Sequence, residues 1–141
     1  MMVKLWHIRN DTITIRQEMI AVNDKWAEEH NIDIISNHIS LELVDEQIKC
    51  IANMLVRNNT DQALSIIYFT LNPKLVVDEI VLNDKNQSAV RDLQILSIGE
   101  NLNLAPGQEL QVQLKYHGAI LESVAHLEVD QERYESANDY F

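Results

Sequence analysis

The side chains of this sequence that could do chemistry are few and scattered. Five histidines (His7, His30, His38, His117 and His126) and a single cysteine, Cys50, are the natural metal ligands and nucleophiles. No histidine opens an HExxH motif, and none has a second histidine at the helical spacing that brings two imidazoles to one zinc. His126 and Glu128 lie two positions apart, so on a strand they share a face. Two groups are too few for a zinc site, and the sequence names no third ligand. They read as exposed polar residues on the outer face of a sheet. Cys50 has no partner for an internal disulfide, and no CxxC pair exists. It alternates with Ile48, Ala52, Met54 and Val56, the pattern of a buried, inert thiol; a nucleophile would need a base and a polar pocket beside it. GxSxG, phosphate-loop and GxGxxG patterns are all missing. Neither a metal nor a cofactor is expected.

Two tripeptides match the glycosylation sequon, Asn58-Asn59-Thr60 and Asn86-Gln87-Ser88. Both fall in polar stretches between apolar runs and read as turn chemistry. Tyr68, Phe69, Tyr116 and Trp26 are expected to pack between elements. Aromatic residues are only 6% of the chain and do not cluster as a sugar- or base-stacking platform would.

At 141 residues the chain is the size of about one domain, and 46% hydrophobic content is enough to build a core. A net charge of −11 repels polyanions and excludes nucleic acid as a partner. No apolar run reaches the length that crosses a bilayer, and "MMVKLWHIRND" lacks the apolar stretch of a signal peptide. Any membrane association is therefore expected through segments outside this chain.

Two periodicities organise the sequence. Ile15, Met19, Val22 and Trp26 form one apolar stripe at helical spacing, with Arg16, Glu18, Asp24, Lys25, Glu28 and Glu29 mostly off it. Thr14 and Gln17 fit a capping box, so an amphipathic helix is predicted over 13–31, after an N-terminal segment, 1–12, without firm signal. From about residue 36 the period becomes two. Ile39, Leu41 and Leu43 alternate with polar residues, and the Cys50 row follows after "VDEQ". "ALSIIYFTL" is a near-continuous apolar run that predicts a central strand, ended by Asn72-Pro73. "LVVDEIVLN", "LQILSI" with "ENLNL", the row Leu110, Val112, Leu114 and Tyr116, and "ILESVAHLEV" complete seven or eight strands, with "NDKNQS" read as a polar turn. The expectation is a mainly β domain over 36–130, an antiparallel β-sandwich or curved saddle-like sheet with one N-terminal helix. A polar tail, 131–141, follows. Pro106 and Gly107 predict a tight turn, because proline fixes φ and glycine accepts a positive one; Gly118 lets the chain leave the last of these strands without steric cost.

The order of these elements resembles the N-terminal β-domain of the aminopeptidase N-like zinc metallopeptidases. "NMLVRNNTDQALSIIYFTLNPKLVVDEIVLND" (residues 53–84) is similar to that family's early hairpin, and "LAPGQELQVQLKYHG" (104–118) to its "L.pGe.l.l.i.Y.G" strand. A narrower resemblance is to bacterial proteins that fuse an ABC-transporter permease to an aminopeptidase-like extracytoplasmic part. "RQEMIAVNDKWAEEHNIDIISNHISLEL" (16–43) looks like their junction between membrane span and first strand, and "AILESVAHLEVDQERY" (119–134) like the segment after "Y.G". The family's HExxH, its third zinc ligand and its GxMEN-type loop are absent, so the resemblance carries over no catalytic or zinc residue.

What the resemblance implies is a non-catalytic extracytoplasmic β-domain of a larger membrane-associated protein. It would act as scaffold and contact surface for the adjoining domains of its own polypeptide. The alternative is an independent β-sandwich module that binds a protein or glycan partner through a strand edge or loop. A small hydrolase is a third reading, but the sequence assembles no nucleophile, base and orienter.

Overall fold

The computed structural model describes residues 2–26 and 32–119, with side chains from residue 14 onward in the first stretch. Among the described residues one helix, α1 (Met2–Lys25), precedes eight strands: β1 (Ile32–Val44), β2 (Gln47–Asn58), β3 (Ile67–Thr70), β4 (Val76–Leu82), β5 (Lys85–Gln87), β6 (Ala89–Asp92), β7 (Ile95–Ile98) and β8 (Glu109–Gly118). They form a five-stranded sheet in the order β1-β2-β8-β4-β5 and a three-stranded sheet in the order β3-β7-β6, with every strand antiparallel to its neighbours. The fold is thus mainly β, as the alternating pattern predicted.

The core lies between the two sheets. Ala52, Met54 and Val56 of β2, Ile80 and Leu82 of β4 and Leu110, Val112 and Leu114 of β8 meet Ile67 and Phe69 of β3 and Leu96 and Ile98 of β7. Period two does this: every second side chain of a strand points to one face, so Leu110, Val112 and Leu114 of β8 are buried and Tyr116 half-buried while Gln111 stays exposed. Burial of Leu110, Val112 and Leu114 contributes on the order of 5–8 kcal/mol before the entropy of ordering is subtracted. Two hairpins close on paired residues of positive φ, Asp45-Glu46 (49° and 63°) and Asn83-Asp84 (45° and 67°). Two-residue turns of this hand match the twist of the strands they join.

Several boundaries differ from the sequence expectation. The helix begins at Met2, not near Thr14, and runs through the segment that gave no signal; Thr14 sits inside it and caps nothing. No glycine or proline interrupts residues 1–31, so propagation costs little once a helix is nucleated nearby. β1 opens at Ile32, before the expected start of the sandwich. The "ALSIIYFTL" run gives an outer strand of the small sheet, not a central one. Its residues are apolar on both faces because the core covers one side and α1 reaches the other. "NDKNQS" contains the short strand β5, and "ENLNL" forms only the isolated bridge Leu64–Leu104. The predicted strand "ILESVAHLEV", the tail 131–141 and the expected helix end at 27–31 lie outside the described residues.

α1 docks on the outer face of the three-stranded sheet. Met19 is buried there at 1% exposure; Ile15, Val22 and Trp26 are half-buried. Arg16, expected off the apolar stripe, is also 1% exposed, so the covered face turns toward it. A long side chain can bury its methylene stem where a short polar one cannot. The β6–β7 turn holds the helix. Gln94 Nε2 donates to the Met19 carbonyl at 2.7 Å and to Asn23 Oδ1 at 2.6 Å. Asp92 Oδ2 accepts from Lys25 Nζ at 2.7 Å and from Trp26 Nε1 at 3.0 Å. The Trp26 ring meets Tyr68 at a centroid distance of 5.2 Å. Trp26→Ala is therefore expected to lower stability by roughly 2 kcal/mol, less than a fully buried large-to-small change. Thermal melting of the whole chain checks this, and an unchanged midpoint would show the docking to be idle.

The same junction is acid-sensitive. The hydrogen bond from Lys25, then that from Trp26, holds the Asp92 carboxyl below the usual carboxylate range, against a smaller opposing effect of burial. A depressed carboxylate contributes stability above its unfolded pKa and loses it as pH falls through the folded one. Trp26 fluorescence should therefore report loosening of α1 in the acid range below about pH 4. Asp92→Asn should flatten that response; an identical acid transition in the variant would place the sensitivity elsewhere.

Candidate interaction surface

β2, β8 and β4 turn their polar rows to the outer face of the five-stranded sheet. Cross-strand partners tie this face together: Arg57 with Glu109 at 2.6 Å, Gln113 Nε2 donating to Asn53 Oδ1 at 2.8 Å, Lys115 with Glu79, and His117 Nδ1 with Asp78 at 2.8 Å. The first three pairs are directly opposed, whereas Asp78 reaches His117 from the bulge of β4. Such cross-strand pairs are the sheet's counterpart of helical i, i+4 pairs and contribute a few tenths of a kcal/mol each where exposed. Beside them lies a shallow depression of about 530 Å³, lined by Ser36, His38, Asn53, Asn83, Gln111 and Gln113 among others. Its lining includes the His38 imidazole but no phenylalanine, tyrosine or tryptophan. Among the described residues no three His, Cys, Asp or Glu side chains converge as metal ligands. His126 and Glu128 lie outside the described residues. This face offers hydrogen bonds and shape, with the His117–Asp78 pair as its one imidazole–carboxylate contact among the described pairs.

The first strand of the sheet is different. β1 is outermost and spans 13 residues, nearly all of them exposed. Its Ile39, Leu41 and Leu43 stand opposite Ala52, Cys50 and Ile48, on the core side of the sheet. Cys50 and Ala52 are buried, but the β1 row is not: Ile39 is 51%, Leu41 57% and Leu43 72% exposed. The three-stranded layer is narrower than the five-stranded one, and β1 juts beyond it. Alternation had implied a buried face here. The sequence assigns the face but cannot say whether a second layer reaches it.

The turn residues take defined places. Gln108 N donates to the Ala105 carbonyl at 3.0 Å across Pro106-Gly107, with Gly107 at φ 74°, a type II turn leading into β8. Gly118 has φ 138°, and a Cβ there would stand 3.0 Å from the Lys74 carbonyl. That close approach of backbone to backbone at the end of β8 excludes a side chain. Cys50 is buried directly opposite Tyr116, and burial, then the neighbouring thiol, pushes the phenol above its usual range.

Two residues unmarked in the sequence organise the loops. Arg91 donates through Nε to the Leu93 carbonyl at 2.7 Å, through Nη2 to the Asn72 carbonyl at 2.6 Å, and also to the Leu75 carbonyl. The guanidinium fork thereby fixes the Asn72-Pro73 corner against β6. Asn58, part of a sequon, has its amide buried at 1% exposure and spent on the Gln62 and Leu104 carbonyls. It is no glycan acceptor in this fold. Asn86, on β5, is exposed. No signal in the sequence marked Arg91; Asn58 followed by Thr60 is a local turn signal, but its link to Leu104 is not local.

No protein-family model matches this chain, and no curated protein sequence matches it. Solved structures do. A mutant M1 zinc metallopeptidase from Deinococcus radiodurans bound to a Tyr-Ser-Ala substrate superimposes with a TM-score of 0.56 at 18% identity, covering 63% of this chain and 21% of that one. An M1 zinc metallopeptidase from the same organism, not described as a mutant, gives a TM-score of 0.56 and 18% identity, over 64% of this chain and 21% of its own. The chain thus spans about a fifth of the length of the structures it matches (21%). The sandwich shares its fold with a part of the M1 zinc metallopeptidases.

Proposed function

We propose that this chain is a non-catalytic β-domain of a larger aminopeptidase-like protein, membrane-associated and extracytoplasmic, and that it works by contact with adjoining domains. The narrower form of the reading places it in an ABC-transporter permease fused to an aminopeptidase-like part. The observation that carries it is the long outer strand β1, whose apolar row stays exposed beside a buried core. Exposed rows of this kind mark contact surfaces on folded domains. The outer face is held by cross-strand polar pairs, which also supports a contact role. A glycan-binding module is less well supported, because the depression has no tryptophan, tyrosine or phenylalanine ring on which a sugar would stack.

The purified chain should hydrolyse no aminoacyl-arylamide, with or without added zinc, and should retain no stoichiometric zinc after dialysis. One tightly held zinc per chain, or arylamide turnover that follows the protein through purification, would overturn the non-catalytic reading. The contact role has its own test. Leu41→Asp with Leu43→Asp should leave the melting of this chain nearly unchanged, since both side chains are exposed, and should weaken its association with the remainder of the parent polypeptide. Unchanged association would remove β1 from the contact.

A further inference from the structure

We propose that β1 pairs edge to edge with β1 of a second copy of this chain, antiparallel about a two-fold axis at Ser40. The inference rests on the reading of β1 as a contact strand and names its partner.

β1 is hydrogen-bonded to β2 on one side only; its outer edge meets no strand among the described residues. Natural edge strands are kept from pairing by shortness, lysine, proline or a bulge. β1 has 13 residues, no lysine and no proline. Its one irregularity lies between Ile34 and Ser36, so Ser36–Val44 is a regular run with an open edge.

That run is complementary to itself. Side chains opposite one another in an antiparallel pair stand on the same face. With Ser40 on the axis, Ile39 of each copy faces Leu41 of the other, so two exposed apolar pairs close on the core side. On the outer face His38 of each copy faces Glu42 of the other. Glu42 also stands opposite Lys49 of its own β2, so its carboxylate would sit between two nitrogen-bearing neighbours. Other same-face registers lose this match. Centring on Glu42 sets two carboxylates against each other, which is destabilising. Centring on Leu41 puts Glu42 opposite Ser40, and centring on Ile39 puts it opposite Ser36. Only the Ser40 register joins the apolar pairs and the His38–Glu42 pairs together.

One strand pair is a small interface, below the area of a standard stable complex, so the dimer is weak and reversible. The net charge of −11 on each copy opposes it at long range. Salt screens that repulsion over roughly 10 Å at 0.1 M and should strengthen the association.

The test uses the full chain with Cys50→Ala, which removes the single native thiol. Ser40→Cys places two thiols across the axis, about 4.5–5.5 Å apart at Cβ, within disulfide reach after small adjustment. Mild oxidation across a concentration series should yield a covalent dimer. Ser36→Cys and Val44→Cys should each fail alone and cross-link when mixed, because the register opposes 36 to 44. Leu41→Lys should reduce the yield of the Ser40→Cys dimer about tenfold by setting a charge against Ile39. Absence of the Ser40→Cys dimer from a chain that sediments as a monomer at every concentration would overturn the proposal. If Leu41→Asp with Leu43→Asp still weakened association with the parent polypeptide, the contact reading would stand and only its self-pairing would fall. Strong hydrogen-exchange protection of both edges of β1 in the monomer would overturn both, since the edge would then be covered from within the chain.

Discussion

Val112→Asp is expected to cost at least about 4 kcal/mol, enough to unfold a domain of ordinary marginal stability, while Gln113→Ala one position on costs well under 1 kcal/mol. The two residues are neighbours on β8 and differ in the face they occupy. Val112 is 2% exposed, among Met54, Leu82 and the facing Leu96 and Ile98. An aspartate there buries a carboxylate with no donor and leaves the aliphatic contacts unfilled. Gln113 lies on the outer face and gives up one partly exposed hydrogen bond to Asn53. Urea unfolding followed by circular dichroism separates the two outcomes, provided the slopes agree. Equal costs would mean that the strand is out of register by one residue, since a one-residue slip exchanges the faces.

Asn58→Leu, of the same branched outline but bulkier, is expected to cost about 3 kcal/mol. The Asn58 amide donates to the Gln62 carbonyl at 2.7 Å and the Leu104 carbonyl at 2.9 Å, and its oxygen accepts from Thr60 N at 2.9 Å and Thr60 Oγ1 at 2.7 Å. Its backbone is engaged as well: Asn58 N donates to the Gln108 carbonyl and Gly107 N to the Asn58 carbonyl, both at 3.0 Å. The residue therefore joins the end of β2, the 59–62 loop and the approach to β8. A leucine keeps the backbone bonds and strands the polar groups around it. Asn58→Asp should be at least as damaging, because its carboxylate would face two carbonyl oxygens where the amide now donates. A loss below about 1 kcal/mol in Asn58→Leu would show that water replaces the amide and that the loop is not fixed by it.

Much of this architecture is local in origin. The rows of β2 and β8 are legible because period two places Ala52, Met54 and Val56, and Leu110, Val112 and Leu114, on one face whatever they later meet. The Pro106-Gly107 turn is legible because proline fixes its own φ and glycine accepts a positive one at no steric cost. The helix was legible only in its second half, where Met19 and Trp26 repeat at helical spacing; no apolar stripe marks residues 2–13. The short strands β5 and β6 escaped for a related reason. Their few residues are polar or mixed, and they are strands because β4 and β7 offer them partners.

The candidate surface was less visible. Ile39, Leu41 and Leu43 carry the same alternating signal as the buried rows, and nothing within β1 tells an exposed face from a covered one. Exposure depends on how far the three-stranded sheet extends across the five-stranded one, which residues far along the chain decide. Arg91 and Asn58 are of the same kind. Their partners at Asn72, Leu75 and Leu104 lie up to 46 positions away, so no short-range pattern can name them.

By itself, then, the sequence determined the mainly β class, the core-facing rows, the tight turns and the lack of any recognised catalytic motif. These follow from backbone geometry and side-chain type within a few residues. Only the tertiary structure decided which strand lies at the edge, which apolar row stays uncovered, and which face of α1 meets the β6–β7 turn through Asp92 and Gln94. Those outcomes depend on the stacking of two sheets of unequal width, and stacking joins residues that chain order keeps apart.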